Sequence, residues 1–164
     1  MGRDSQSDID LDSTGRQVHV NPVLRPYRPG DREALMSLWS VCELTRPWNN
    51  PSRDIERKLA RDAENLLVLE QQGRLIGSVM VGYEGHRGWI NYLAVHPDHR
   101  RQGLGRLLMD EAERRLHDLG CPKVNLQVRN SNGAAREFYR QIGYAVDEAV
   151  SFGKRLEHDA PPPS

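Results

Sequence analysis

Between positions 66 and 95 the apolar residues come as short continuous or alternating runs, and from position 104 onward they recur every three or four residues. Positions 66–70 and 75–82 are leucine- and valine-rich runs joined around Gln72-Gly73, the pattern of two strands in a hairpin. Trp89-Ile90-Asn91-Tyr92-Leu93-Ala94-Val95 predicts a central strand, which ends at Pro97 because proline cannot donate to a sheet ladder. Leu104, Leu107, Leu108, Ala112, Leu116 and Leu119 then mark one face of a long amphipathic helix, stopped by Gly120 and Pro122.

On either side of this block the pattern is weaker. Val23, Leu24 and Tyr27 fit a short first strand, and Pro29-Gly30-Asp31 reads as a turn whose Asp31 caps a helix with Leu35, Leu38, Trp39 and Cys42 on its apolar face. Pro47 and Pro51 interrupt the chain around Trp48, a loop expected at the surface, and a charged helix over 54–62 turns Ile55 and Leu59 inward. Val124-Asn125-Leu126-Gln127-Val128 alternates like a strand, Asn132 opens a helix bearing Ala134, Ala135, Phe138 and Ile142 and closed by Gly143, and 149–156 supplies a last strand. The result is one α/β (α+β) domain over residues 22–156. A disordered N-terminal tail is expected over 1–21, and a proline-rich disordered tail over 157–164.

Composition adds bounds. A length of 164 residues suits one domain with its own core. No apolar run is long enough to span a bilayer, and the polar, acidic start lacks the features of a signal peptide. Two cysteines, Cys42 and Cys121, are too few for a disulfide framework, so reduced thiols and a cytoplasmic location are expected. The 23 Lys and Arg are matched by 23 Asp and Glu, which argues against nucleic acid as a partner.

That global balance makes one local imbalance informative. Between the central strand and the long helix lies His96-Pro97-Asp98-His99-Arg100-Arg101-Gln102-Gly103-Leu104-Gly105-Arg106, with Asp98 its one acid. The first turn of a helix presents unpaired N–H groups and partial positive charge, glycine lets an anion approach the backbone, and the arginines add cationic donors. The stretch reads as a cradle for a polyanion, although a plain strand-to-helix linker with a solvated arginine face has the same composition. His96 and His99 flank Pro97 and do not share a helix face, so no metal site is expected there.

Arg100-x-x-Gly103-x-Gly105 after a strand resembles the coenzyme A pyrophosphate loop of the GNAT superfamily of N-acetyltransferases. A second block, from Asn132-Gly133-Ala134-Ala135 through Phe138-Tyr139 to Gly143-Tyr144, is similar to that family's closing Asn-x-x-Ala-x-x-x-Tyr-x-x-x-Gly-Phe element. Leu44-Thr45-Arg46-Pro47-Trp48-Asn49-Asn50-Pro51 and Gly82-Tyr83-Glu84-Gly85-His86-Arg87-Gly88 look like the bacterial YpeA-like branch.

The resemblance implies a GNAT-type acyl-CoA N-acyltransferase fold: a mixed, mostly antiparallel sheet with helices on both faces, splayed between the strand ending near Val95 and the one near Val124. It implies acetyl-CoA as co-substrate and a primary amine, small molecule or protein, as acceptor, attacked directly in a ternary complex, in a monomer or homodimer. Main chain around Leu93, Ala94 and Val95 would hold the pantetheine arm. Arg100, Arg101, Gln102, Gly103, Leu104, Gly105 and Arg106 would hold the pyrophosphate, with Asn132 and Arg136 assisting. Tyr139 would act as general acid toward the coenzyme A sulfur. Leu126-Gln127-Val128-Arg129 resembles a stretch of the ribosomal-protein alanine acetyltransferases, but Gln127 stands where those have a glutamate base, and an amide cannot accept a proton at neutral pH. Glu84 is the first substitute, with His86 and Asn91 acting through water as others. A non-catalytic acyl-CoA sensor or interaction module is the alternative that Gln127 motivates.

Overall fold

The computed structural model describes Gly15 and residues 20–159. Five strands, β1 (Val23–Pro26), β2 (Leu66–Gln71), β3 (Arg74–Tyr83), β4 (Gly88–Val95) and β5 (Val124–Leu126), form one sheet in sequence order. The first three pairings are antiparallel and β4–β5 is parallel. Four α-helices accompany it: α1 (Arg32–Val41), α2 (Pro51–Asp62), α3 (Leu104–Asp118) and α4 (Gly133–Gln141).

Strand alternation sorts the core into two layers. Leu66 and Val68 of β2 face Leu35, Leu38 and Trp39 of α1 and Ile55 of α2, while Leu67 and Leu69 face Leu104, Leu108, Met109, Ala112 and Leu116 of α3. All four β2 residues are fully buried, as expected of a strand covered on both faces. Gln72 and Gly73 both take positive φ, which matches the twist of a two-residue hairpin turn.

Several expectations are corrected. Asp31 precedes α1 but makes no side-chain cap. Its carboxylate accepts from the Arg28 amide at 2.7 Å and from the Arg25 guanidinium at 2.7 and 2.9 Å, a charged pair stronger than a cap to neutral amides. Helix α2 begins earlier than expected, at Pro51, because Asn50 accepts from the Arg53 amide and proline fits the first helical turn. Leu107 of α3 is exposed and lies off its buried stripe, and Leu119, also exposed, falls just past the helix end.

The expected strand over 149–156 does not form. The chain over 147–151 meets β5 and its flanks through side chains instead: Lys123 and Asn125 donate to Asp147, and Gln127 donates to Ser151 Oγ at 2.6 Å. With β5 only three residues long, the edge offers too short a ladder to pair a further strand. The tails expected over 1–21 and 157–164 fall, for 1–14, 16–19 and 160–164, outside the described residues.

Candidate active site

The site starts from a mismatch of strand lengths. β4 and β5 pair at Gly88↔Val124, Trp89↔Asn125 and Ile90↔Leu126 and then part. Residues 91–95 of β4 continue along β3 alone, so their backbone on the β5 side has no strand partner.

A β-bulge lies inside this open stretch. Ser78 pairs with Ala94 and Met80 with Asn91, so Val79 alone opposes both Tyr92 and Leu93. Tyr92 takes φ +49°, unusual for a residue with a Cβ. The bulge changes which face each side chain takes: Ile90 lies in the α3 layer, Tyr92 and Ala94 in the α1–α2 layer, and Leu93 and Val95 border the α3 layer. Bulges re-aim side chains in this way beside binding sites. A buried chain holds it, with the Trp39 indole N–H donating to Ser78 Oγ and that hydroxyl donating to the Tyr92 carbonyl, each at 2.9 Å.

Immediately after β4, the chain turns through Pro97–His99 into α3. Arg101 and Gly103 both take positive φ, +63° and +75°, and no side chain caps α3 and no acid lies in its first turn. A Cβ on Gly103 would meet nothing within 4 Å, so no protein atom crowds this turn residue, as an anion cradle requires. Arg100, Arg101, Gln102 and Arg106 are exposed around it, and Arg100 Nε donates to the Val95 carbonyl at 3.2 Å. Gly105 has a different purpose: a Cβ there would lie 3.1 Å from the Phe138 ring, so this glycine lets α4 pack against α3.

Helix α4 begins at Asn132, whose Oδ1 accepts from the Ala135 amide at 3.0 Å. Arg136 is exposed one turn further on. Tyr139 is packed edge-to-face between Phe138 and Tyr144, bordering the same α3 layer as Leu93 and Val95. Burial pushes its phenol up to about 12, so it is protonated at neutral pH. Among the described residues its hydroxyl has no hydrogen-bond partner.

The α1–α2 side carries residues that sequence reasoning did not single out. Tyr92 OH donates to Asp54 Oδ2 at 2.6 Å, and Asp54 Oδ1 accepts from Arg57 at 3.2 Å. Burial and the Asp54 carboxylate raise the Tyr92 pKa. The exposed Trp48 loop reaches the β5–α4 connection, where the Arg129 guanidinium lies over the indole, 5.8 Å from its centroid. Only the i,i+3 spacing of Asp54 and Arg57 could have flagged this cluster, since the positive φ of Tyr92 has no sequence signature.

Glu84 sits in the β3–β4 turn, its carboxylate accepting from the amides of His86 at 3.2 Å and Arg87 at 2.5 Å. It lines a 210 Å³ cavity with Lys58, Tyr83 and Trp89. At ~3.3 Å per residue this turn lies roughly 16 Å along β4 from Leu93. Buried Lys58 donates to the Val81 carbonyl and to Asp62, and burial lowers its pKa. Gln127 donates its amide to Ser151. His96 Nδ1 accepts from the Asp98 amide, and among the described residues no three His, Cys, Asp or Glu side chains gather as metal ligands would. Nor is any helix among them long and apolar enough to cross a membrane.

Residues 32–144 match the family model of the acetyltransferase (GNAT) family. An acetyltransferase of Pectobacterium atrosepticum is 46% identical over 136 residues, covering 83% of this chain and 96% of that protein. Among solved structures, Naa20 of Chaetomium thermophilum with a bisubstrate analogue is 27% identical, with TM-score 0.63 over 76% of this chain and 71% of that one. The structure of AAC(6')-Iy with a CoA-containing bisubstrate analogue is 18% identical, with TM-score 0.68 over 82% and 98%, and shares the fold.

Proposed function

The chain belongs to the acetyltransferase (GNAT) family, and from that membership we propose that it moves the acetyl group of acetyl-CoA to a primary amine by direct attack in a ternary complex. One observation carries the reading: the β4 backbone over 91–95, which among the described residues has no strand partner on its β5 side, leads into the acid-free N-terminus of α3. An extended amide-bearing arm can add to the first as a strand would, and a pyrophosphate fits the second.

In this reading Leu93, Ala94 and Val95 hold the pantetheine arm through main chain. The amides from Arg101 to Arg106 hold the pyrophosphate, with the exposed arginines around them, and Asn132 and Arg136 add contacts from α4. Bound there, acetyl-CoA supplies an activated acyl group. Tyr139 carries its proton at neutral pH, as a phenol does, and its place on α4 beside the layer of Leu93 and Val95 suits it to donate to the departing thiolate. The acceptor approaches from the α1–α2 side, past Trp48, Tyr92 and Asp54. Glu84 is the candidate base, and across the roughly 16 Å of β4 that separates its turn from Leu93 it takes the amine proton by relay through several waters. The binding-module reading draws on Gln127, whose amide is bonded to Ser151.

Calorimetric titration with acetyl-CoA and coenzyme A, followed by a free-thiol assay against a panel of amines, tests the proposal. Micromolar binding with thiol release for one amine class is expected. Binding without release for any amine favours the sensor, and no binding overturns the site.

A further inference from the structure

We infer that Arg57 and the N-terminal turn of α2 form a carboxylate subsite of the acceptor site, filled here by the chain's own Asp159, and that the acceptor amine therefore also carries a carboxylate. The inference rests on the acetyl-transfer reading and adds the acceptor's chemical class to it.

The Arg57 guanidinium grips Asp159 with both ends, donating to its two carboxylate oxygens at 3.0 and 2.6 Å. The Asn50 backbone amide is a further donor, and together these hold the Asp159 pKa below the usual carboxylate range. The Asp159 side chain keeps only 7% of its exposure. The segment leading to it behaves oppositely, with Val150, Phe152 and Leu156 at 81, 94 and 88% exposure. It touches the body through polar groups: Ser151 at Gln127, Arg155 at Asn49, Asp159 at Arg57, and, more loosely at 3.7 Å, Glu157 at the same Arg57. Apolar burial does not seat this segment; the fit of one carboxylate into a bidentate cationic fork contributes the best-made contact along it.

The subsite is wired to the reacting strand. Arg57 also donates to Asp54, and Asp54 accepts from Tyr92, the bulge residue beside Leu93. A cation and an anion thus stand side by side on α2, the anion bonded to the bulge residue Tyr92. That pattern is complementary to a molecule with both an ammonium and a carboxylate, such as an amino acid or an acidic peptide. The open cleft of 770 Å³ between Arg57 and residues 153–159 is walled mostly by that segment itself, so release of Asp159 opens this side of Arg57 to a carboxylate from solution. A tethered carboxylate competes at an effective concentration of about millimolar for a short linker, so the chain's own acid sets a threshold that the acceptor must exceed.

The test uses the full-length protein and N-acetylglutamate, a product-like probe, titrated calorimetrically with coenzyme A present. Asp159→Asn should bind the probe at least about tenfold more tightly than the unmodified protein, and Arg57→Ala in the Asp159→Asn background should lose that gain. The neutral diamide of the same probe should show neither change. In turnover, Asp159→Asn should lower KM for carboxylate-bearing amines and leave KM for acetyl-CoA unchanged. A response to free amino acids alone identifies them as the source, and a response to acidic dipeptides alone identifies peptides. Intact acetyl-CoA binding with equal probe affinity in all three proteins, or an equal response to the diamide, overturns this inference alone. Failure of acetyl-CoA to bind overturns the transfer reading and this one with it.

Discussion

The Trp39 indole lies flat on the Tyr92 ring, with centroids 3.8 Å apart and planes 16° apart. The stack brings a fully buried helix residue against the residue of β4 that bears the bulge, and Ser78 ties the two by accepting from the indole and donating to the Tyr92 carbonyl. The backbone distortion beside the proposed thioester position is therefore held from the α1 side.

Ser78→Ala removes the shared hydroxyl and leaves a buried indole N–H and a buried carbonyl without their partner. The expected cost is about 2 kcal/mol of unfolding free energy, read from urea denaturation. A loss below about 0.5 kcal/mol would show that the bulge is held by packing alone.

Gly103 offers a sharper test of the cradle. Both Gly103→Glu and Gly103→Asn replace glycine at φ +75°, a conformation that Asn tolerates and most L residues adopt at about 1 kcal/mol. Glu adds a carboxylate where the pyrophosphate is proposed to sit. Coenzyme A affinity should fall at least about 100-fold for Glu and far less for Asn, with both proteins folded by circular dichroism. Equal affinities would remove the cradle.

How far the sequence reaches is visible in these same residues. The strand-to-helix stretch from Trp89 to Leu116 was legible because periodicity changes from strand to helix at a glycine-bearing turn, and local chemistry decides it. The bulge at Tyr92 was not, since it depends on which β3 residue lies opposite. Asp31 was read as a cap because it stands at a helix start, but Arg25, six residues earlier and on a strand, takes its carboxylate. The strand expected over 149–156 failed for a related reason: its alternation is real, but β5 gives it too short an edge. Asp54, Arg57 and Asp159 look like ordinary surface charges in sequence, and only the fold brings them together beside Tyr92.

Glu84→Gln keeps an acceptor oxygen for the turn amides of His86 and Arg87, so thermal stability should change little. If Glu84 takes the amine proton, kcat/KM should drop by about 10²-fold or more while coenzyme A affinity stays constant. An unchanged kcat/KM would leave the carboxylate as a turn cap only.

Tyr139→Phe separates catalysis from packing. The ring and its contacts with Phe138 and Tyr144 remain, so coenzyme A affinity should hold while kcat falls by about 10²-fold or more. A second readout follows from burial of the phenol. Its pKa rises from 10.0 in the unfolded chain to about 12 in the folded one, so below pH 10 both states keep the proton and this group adds no pH dependence. Between pH 10 and 12 the unfolded state releases the proton first, and stability falls by up to about 2–3 kcal/mol from this residue. Tyr92 and Tyr144, also raised, add to the same alkaline loss. Tyr139→Phe should therefore make the unfolding free energy less steep above pH 10, measured by urea denaturation across that range. A slope that does not change would mean that the Tyr139 hydroxyl is hydrated in solution.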